Sequence, residues 1–144
     1  MRLERFVEAQ EGVYARALAE LRAGRKQSHW MWFVFPQIAG LGRSETSRRY
    51  AIGSLEEARA YLAHPVLSER LRRCTRTLLA AKAQTAEEIF GSVDARKLQS
   101  SMTLFHRADR DDPLFREVLD RWFNGEPDPA TDRLLALTNA DDLV

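Results

Sequence analysis

Cysteine occurs once in this 144-residue chain, at Cys74, so neither an intrachain disulfide nor a cysteine-based zinc site is possible. Long apolar runs are missing, since none approaches the roughly 20 residues that a membrane span requires. The opening MRLERFVEAQ places acids within an amphipathic pattern and has no signal-peptide core, which points to a soluble, cytoplasmic protein with no membrane partner. Low-complexity stretches, fixed-period repeats and long linkers are absent, and so are alternating strand patterns punctuated by turn dipeptides. The histidines His29, His64 and His106 fall outside any metal-ligand spacing. Asp109, Asp111 and Asp112 lack the glycine and bidentate glutamate of a calcium loop. No metal site and no cofactor follow from the residues.

What is present is helical. Leu3, Phe6, Val7, Tyr14, Ala17, Leu18 and Leu21 recur at steps of three and four, with Gly12 placed to divide the run and Gly24 to end it. Thr46 to Ala51 has room for a single turn. Ser54 with Glu57 and Thr85 with Glu88 read as capping boxes, in which hydroxyl and carboxylate satisfy exposed backbone N–H groups. His64-Pro65 closes one helix and opens the next, whose inward stripe is Leu67, Leu71, Cys74, Leu78 and Ala81. On that stripe Cys74 reads as an inert buried thiol. A short turn stops at Gly91, and Ser92 is placed to cap a helix bearing Leu98, Met102 and Phe105. Asp112-Pro113 and Asp128-Pro129 begin two more, the last running through Leu137. The prediction is one all-α domain over residues 1–137, with about seven helices, and a loose C-terminal tail over 138–144.

The segment SHWMWFVFPQIAGLG, Ser28 to Gly42, concentrates six apolar residues between His29 and Pro36. With helices on both sides, a lone strand here would have no partner for its backbone groups. The spacing therefore predicts a short central helix over Ser28–Phe35, apolar all round and enclosed, ended by Pro36. Trp30 and Trp32 each bring an indole N–H that needs a partner when buried. Two readings follow: an ordinary aromatic core, or an aromatic wall for a planar ligand oriented by His29 and Gln37.

Several of these stretches match a family. "SHWMWFVFPQIAGLG", "YAI", "YLAHPVL", "IFG", "DARKLQSSMTLF" and the opening "RFVEAQEGVYARALAELRAGRK" resemble the bacterial proteins grouped as domain of unknown function 1810. The resemblance runs in order from Leu3 to Leu135 and implies a compact multi-helical fold. It implies no reaction. The calpastatin label sometimes attached to such proteins does not fit, because inhibitors of that type resemble disordered chains and this composition is that of a folded domain.

Charge supplies the remaining candidates. The net charge is +1, yet the first 106 residues carry +6 and the rest −5. Asp94, Lys97, Ser101 and Leu104 share one helical face. A nucleophilic serine–lysine pair would need a deprotonated amine, which Asp94 opposes; an ion pair with a serine back-bonding to its helix is the plainer reading, and an anion-holding lysine the functional one. Arg43, Ser44, Ser47, Arg48 and Arg49 follow two glycines, but GLGRS lacks a Walker lysine and reads as an exposed loop with solvated arginines. Arg70, Arg72, Arg73 and Arg76 read as a solvated helix face, and nucleic acid is disfavoured as a partner by the acidic last quarter. Two functional expectations result. One is a site for a small anionic or nucleotide-like ligand, drawing on His29, Trp30, Trp32, Gln37, Ser44, Lys97 and Ser101. The other is a non-enzymatic helical module that binds a protein partner.

Overall fold

A computed structural model describes residues 2–142, with side chains described through Thr138. The chain is all-α. Among the described residues seven helices are joined by two one-turn segments: α1 Glu4–Gln10, α2 Tyr14–Ala23, α3 Met31–Val34, α4 Glu45–Arg49, α5 Leu55–Ala63, α6 Pro65–Leu79, α7 Ala86–Ala108, α8 Leu114–Trp122 and α9 Pro129–Asp142. α3 and α4 are the one-turn pieces, so the expected count of about seven describes the longer elements. α9 continues to Asp142, past the Leu137 end expected from the sequence; Leu143 and Val144 of the anticipated tail lie outside the described residues.

Local chemistry sets the boundaries. Gly12, at φ 80°, separates α1 from α2, and Gly24 takes the left-handed conformation that closes α2. Ser54 and Thr85 accept from the amides of Glu57 and Glu88. The carboxylates of Glu57 and Glu88 reach one residue further back than in a simple capping box, to the amides of Gly53 and Gln84. His64 caps α6 through Nδ1, which accepts from the amides of Val66 and Leu67 while Pro65 occupies the first position. Gly91, at φ 77° and ψ 169°, kinks α7 where the sequence separates two helices.

α7 runs through the middle of the domain, against α5, α8 and α9, while α2 and α5 pack on α6. Aromatic rings form a chain through this core: Phe33 on Tyr50 at 4.8 Å, Tyr50 on Phe6 at 6.1 Å, Phe6 on Tyr61 at 5.3 Å, Tyr61 on Phe105 at 5.2 Å and Phe105 on Phe115 at 5.8 Å. Edge-on and tilted pairs of this kind add to the stabilisation that burial alone gives. Gln10, also buried, ties four elements together: Nε2 donates to the Phe33 carbonyl and the Tyr61 hydroxyl, and Oε1 accepts from Arg70.

The aromatic segment is shorter and less enclosed than its composition predicts. Helix is confined to Met31–Val34, because the backbone before it is held by side chains: Glu20 accepts from the Ser28 amide, and Lys26 donates to the Ser28 carbonyl. Trp30, Met31, Val34 and Phe35 are buried, whereas Trp32 and Phe33 are half-exposed. After Pro36 the chain makes one isolated parallel bridge, Ile38 with Ile52, through Ile52 N to the Gln37 carbonyl and Ala39 N to the Ile52 carbonyl, both 2.8 Å. No helix among the described residues is long and apolar enough to cross a membrane.

Cys74 lies fully buried on the α6 stripe, and burial pushes its thiol up to about 12. A thiol reagent is expected to leave the native protein unlabelled at neutral pH and to label one cysteine per chain in denaturant, as counted by mass spectrometry. Rapid native labelling would place Cys74 outside the core.

Candidate functional site

The site is built outward from the end of α2. Glu20 gathers four donors: the amides of Gln27 and Ser28 at 2.7 and 3.0 Å, the Ser28 hydroxyl at 2.6 Å and the Trp30 indole N–H at 2.9 Å. Burial opposes its ionisation, but these hydrogen bonds prevail and bring its carboxyl down to about 2. Trp30 is thereby held inside, against Phe35 and Phe90. Two residues further, inside the one-turn helix, Trp32 is half-exposed on the side of α7.

There a cleft of about 390 Å³ separates the aromatic segment from the first turns of α7 after Gly91. Trp32, Gln37, Leu41 and Gly42 form one wall, and Ser92, Val93, Arg96 and Lys97 form the other. The Lys97 ammonium lies 4.2 Å from the centre of the Trp32 ring and 3.2 Å from Asp94. Asp94 also holds Lys26 at 2.8 Å. Burial opposes the Asp94 charge, but the two lysines outweigh it and keep the carboxyl below its usual range. One carboxylate thus serves two ammonium groups, and exposed Arg96 adds a third cation with no ion-pair partner among the described residues. The rim is net positive.

Gln37 stands at the floor. The bridge to Ile52 fixes its backbone, the residue is only 6% exposed, and its Nε2 is buried with no hydrogen-bond partner among the described residues. A buried amide donor left unmatched is costly, at about 1–3 kcal/mol. A smaller depression of about 110 Å³ continues beyond Gln37 and Gly42, bounded also by Ser47 and Arg48.

Of the seven residues proposed from the sequence, Trp32, Gln37 and Lys97 meet at this cleft. His29 is exposed and does not line it. Trp30 is buried behind it with its N–H bound to Glu20. Ser44 caps α4, its hydroxyl accepting from the Ser47 amide. Ser101 is fully buried within α7, with no hydrogen-bond partner for its hydroxyl among the described residues. It neither back-bonds to the helix nor meets Lys97, so no serine–lysine pair is assembled; Ser100 and Thr103 make the i−4 bonds instead. Val93 and Arg96 escape sequence reading because an exposed valine and an arginine on a helix carry no motif; only the 67% exposure of Val93 marks it.

Two of the α6 arginines are employed elsewhere. Arg70 pairs with Glu11 and covers the Tyr14 ring, and Arg72 pairs with Asp109 and Asp112 over Phe115. Arg70 and Arg72 thus do more than face solvent, while Arg73 and Arg76 are exposed as expected. Among the described residues no group of three His, Cys, Asp or Glu side chains is placed to hold a metal.

Comparison with known proteins gives family and fold. A family model described as "Protein of unknown function (DUF1810)" matches residues 1–135. No curated protein matches. The crystal structure of the conserved hypothetical protein Rv1873 from Mycobacterium tuberculosis is 51% identical, with a TM-score of 0.91 over 93% of this chain and 96% of that one.

The low carboxyl of Glu20 has a pH consequence. Its folded value lies below its unfolded one, so the stabilisation is complete above the unfolded value near 4.5 and is lost as pH falls toward 2. Glu20→Gln is expected to destabilise by about 1–2 kcal/mol at neutral pH in urea unfolding, after allowance for partial solvent exposure, with the gap closing on acidification. A gap independent of pH would contradict the assignment.

Proposed function

The chain belongs to the family of proteins of unknown function DUF1810, and from that premise we propose that it binds a small anionic ligand with a flat, apolar body in the cleft between Trp32 and Lys97. The observation that carries this reading is the unmatched Gln37 amide at the floor of a cleft whose rim is net positive. Trp32, Leu41 and Val93 supply apolar surface for a planar group. Lys97 and Arg96 supply cations for a phosphate or carboxylate, and Gln37 a donor for an oxygen acceptor. Lys97 pairs with the Asp94 carboxylate at 3.2 Å; its role is to hold charge, and no proton transfer is assigned to it.

A nucleotide combines the required features. The alternative, a non-enzymatic module for a protein partner, has less support: the large apolar residues exposed among those described, Val66, Val93 and Leu137, lie on three different helices, and Val93 already belongs to the cleft. A contiguous apolar patch is the feature a partner site would need.

Purine mononucleotides, ribose 5-phosphate and inorganic phosphate, screened by thermal shift and then titrated by calorimetry, test the reading. At least one nucleotide is expected to raise the melting temperature. Trp32→Ala and Lys97→Ala should each weaken its binding about tenfold or more, while His29→Ala and Ser44→Ala leave it unchanged. Absence of binding by every compound, or unchanged binding in the Trp32 and Lys97 variants, would overturn it.

A further inference from the structure

The cleft does not end at Gln37. The inner depression shares Trp32, Gln37, Leu41 and Gly42 with the outer cleft, and shares Ala39, Arg48 and Ala51 with a third hollow of about 580 Å³. Adjoining through these shared residues, the three hollows follow one another as a track. Its character changes along the way, from apolar walls at Val93, Leu41 and Trp32 to arginines at Arg48, Arg49 and Arg2.

The arginine end carries uncompensated charge. Its one carboxylate, Glu57, is occupied by Arg5 at 3.2 Å and by the Gly53 amide at 2.9 Å. Arg5 is occupied in turn: it donates to Glu57 and to the carbonyls of Arg2, Arg49 and Ala51. Those carbonyl oxygens, which would otherwise repel an anion, are thus covered by a cation. Arg2, Arg48 and Arg49 have no ion-pair partner among the described residues. Arg48 borders both the inner depression and the hollow, so it stands at the junction.

At the inner depression Gly42 lets its loop approach α4 closely. A β-carbon there would fall 2.5 Å from the Cβ of Ser47 and 3.4 Å from Cη2 of Trp32, two residues that flank the inner depression. Between the ring-holding end and the arginines lies the unmatched Gln37 donor. Apolar wall, lone donor and arginine cluster follow one another in that order.

Resting on the ligand reading above, we infer that the ligand is elongated: a small molecule with a flat ring system at Trp32 and a chain of at least two phosphates that accepts from Gln37 and ends at Arg48 and Arg49. A monophosphate reaches only the first part of the track. A nucleoside diphosphate, or one extended by a sugar, occupies it all.

Calorimetric titration of AMP, ADP and ADP-ribose into the wild type, Arg48→Ala/Arg49→Ala and Trp32→Ala proteins tests this, with melting curves confirming that each variant folds. ADP or ADP-ribose is expected to bind the wild type at least about tenfold more tightly than AMP, the scale of one charge-assisted arginine–phosphate contact. The double arginine variant should erase that advantage and leave AMP affinity unchanged, while Trp32→Ala weakens all three. Equal affinities in the wild type, with AMP still dependent on Trp32, would overturn the elongated ligand and spare the cleft. Failure of all three to bind would overturn both. A 5′-phosphorylated single-stranded oligonucleotide binding more tightly than ADP-ribose, with steep salt dependence, would replace the small molecule by nucleic acid and also overturn the inference.

Discussion

One carboxylate determines how the aromatic segment is presented. Glu20 draws the amides of Gln27 and Ser28, the Ser28 hydroxyl and the Trp30 indole to a single point at the end of α2. This delays helix formation until Met31 and commits Trp30 to the interior. Trp30 is the non-helical residue before this turn and Trp32 lies within it; with Trp30 buried against Phe35 and Phe90, Trp32 stays half-exposed at the cleft. The same local geometry sends Phe33 to the ring chain through Tyr50, and Phe35 to the cluster with Trp30 and Phe90. One turn of helix thereby serves two parts of the core and one open cleft.

The opposite wall depends on that anchorage. The Lys26 amide donates to the Ile89 carbonyl at 2.8 Å, and its ammonium holds Asp94, so the end of α2 and the start of α7 are fixed to each other directly. Asp94 passes the constraint on to Lys97, whose ammonium faces the Trp32 ring. A chain of short polar contacts from Glu20 to Lys97 therefore sets the width of the cleft. Such contacts are strengthened by partial burial, since water competes less for each charge.

Local sequence carries most of the helix boundaries. Gly12, Gly24, the Ser54 and Thr85 caps and the His64-Pro65 junction act within four residues of themselves, so a linear reading reaches them. The Ile38–Ile52 bridge, the role of Glu20 and the four-way link at Gln10 join residues too far apart in sequence for periodicity to register. The site divides likewise. Trp32 and Gln37 stand out because large or polar groups occupy an apolar stretch, and Lys97 because it shares a helical face with Asp94 and Ser101. Which of the two tryptophans faces the cleft is decided by the Glu20 contact, and an isolated Ser101 on the face of Lys97 looks the same from sequence whether it is buried or open. Arg48 gains its position from the fold alone, since α4 sets it where it borders both the inner depression and the arginine-lined hollow.

The indole N–H resonances of Trp30, Trp32 and Trp122 report three separate environments and can be followed in one nitrogen-15 spectrum during titration with ADP-ribose. Trp30 is bound to Glu20, Trp122 to the Ala83 carbonyl, and only Trp32 lines the cleft. A saturable shift confined to Trp32 is the predicted result. Saturable movement of Trp122 or Trp30 with Trp32 unmoved, or no movement at all, would contradict it.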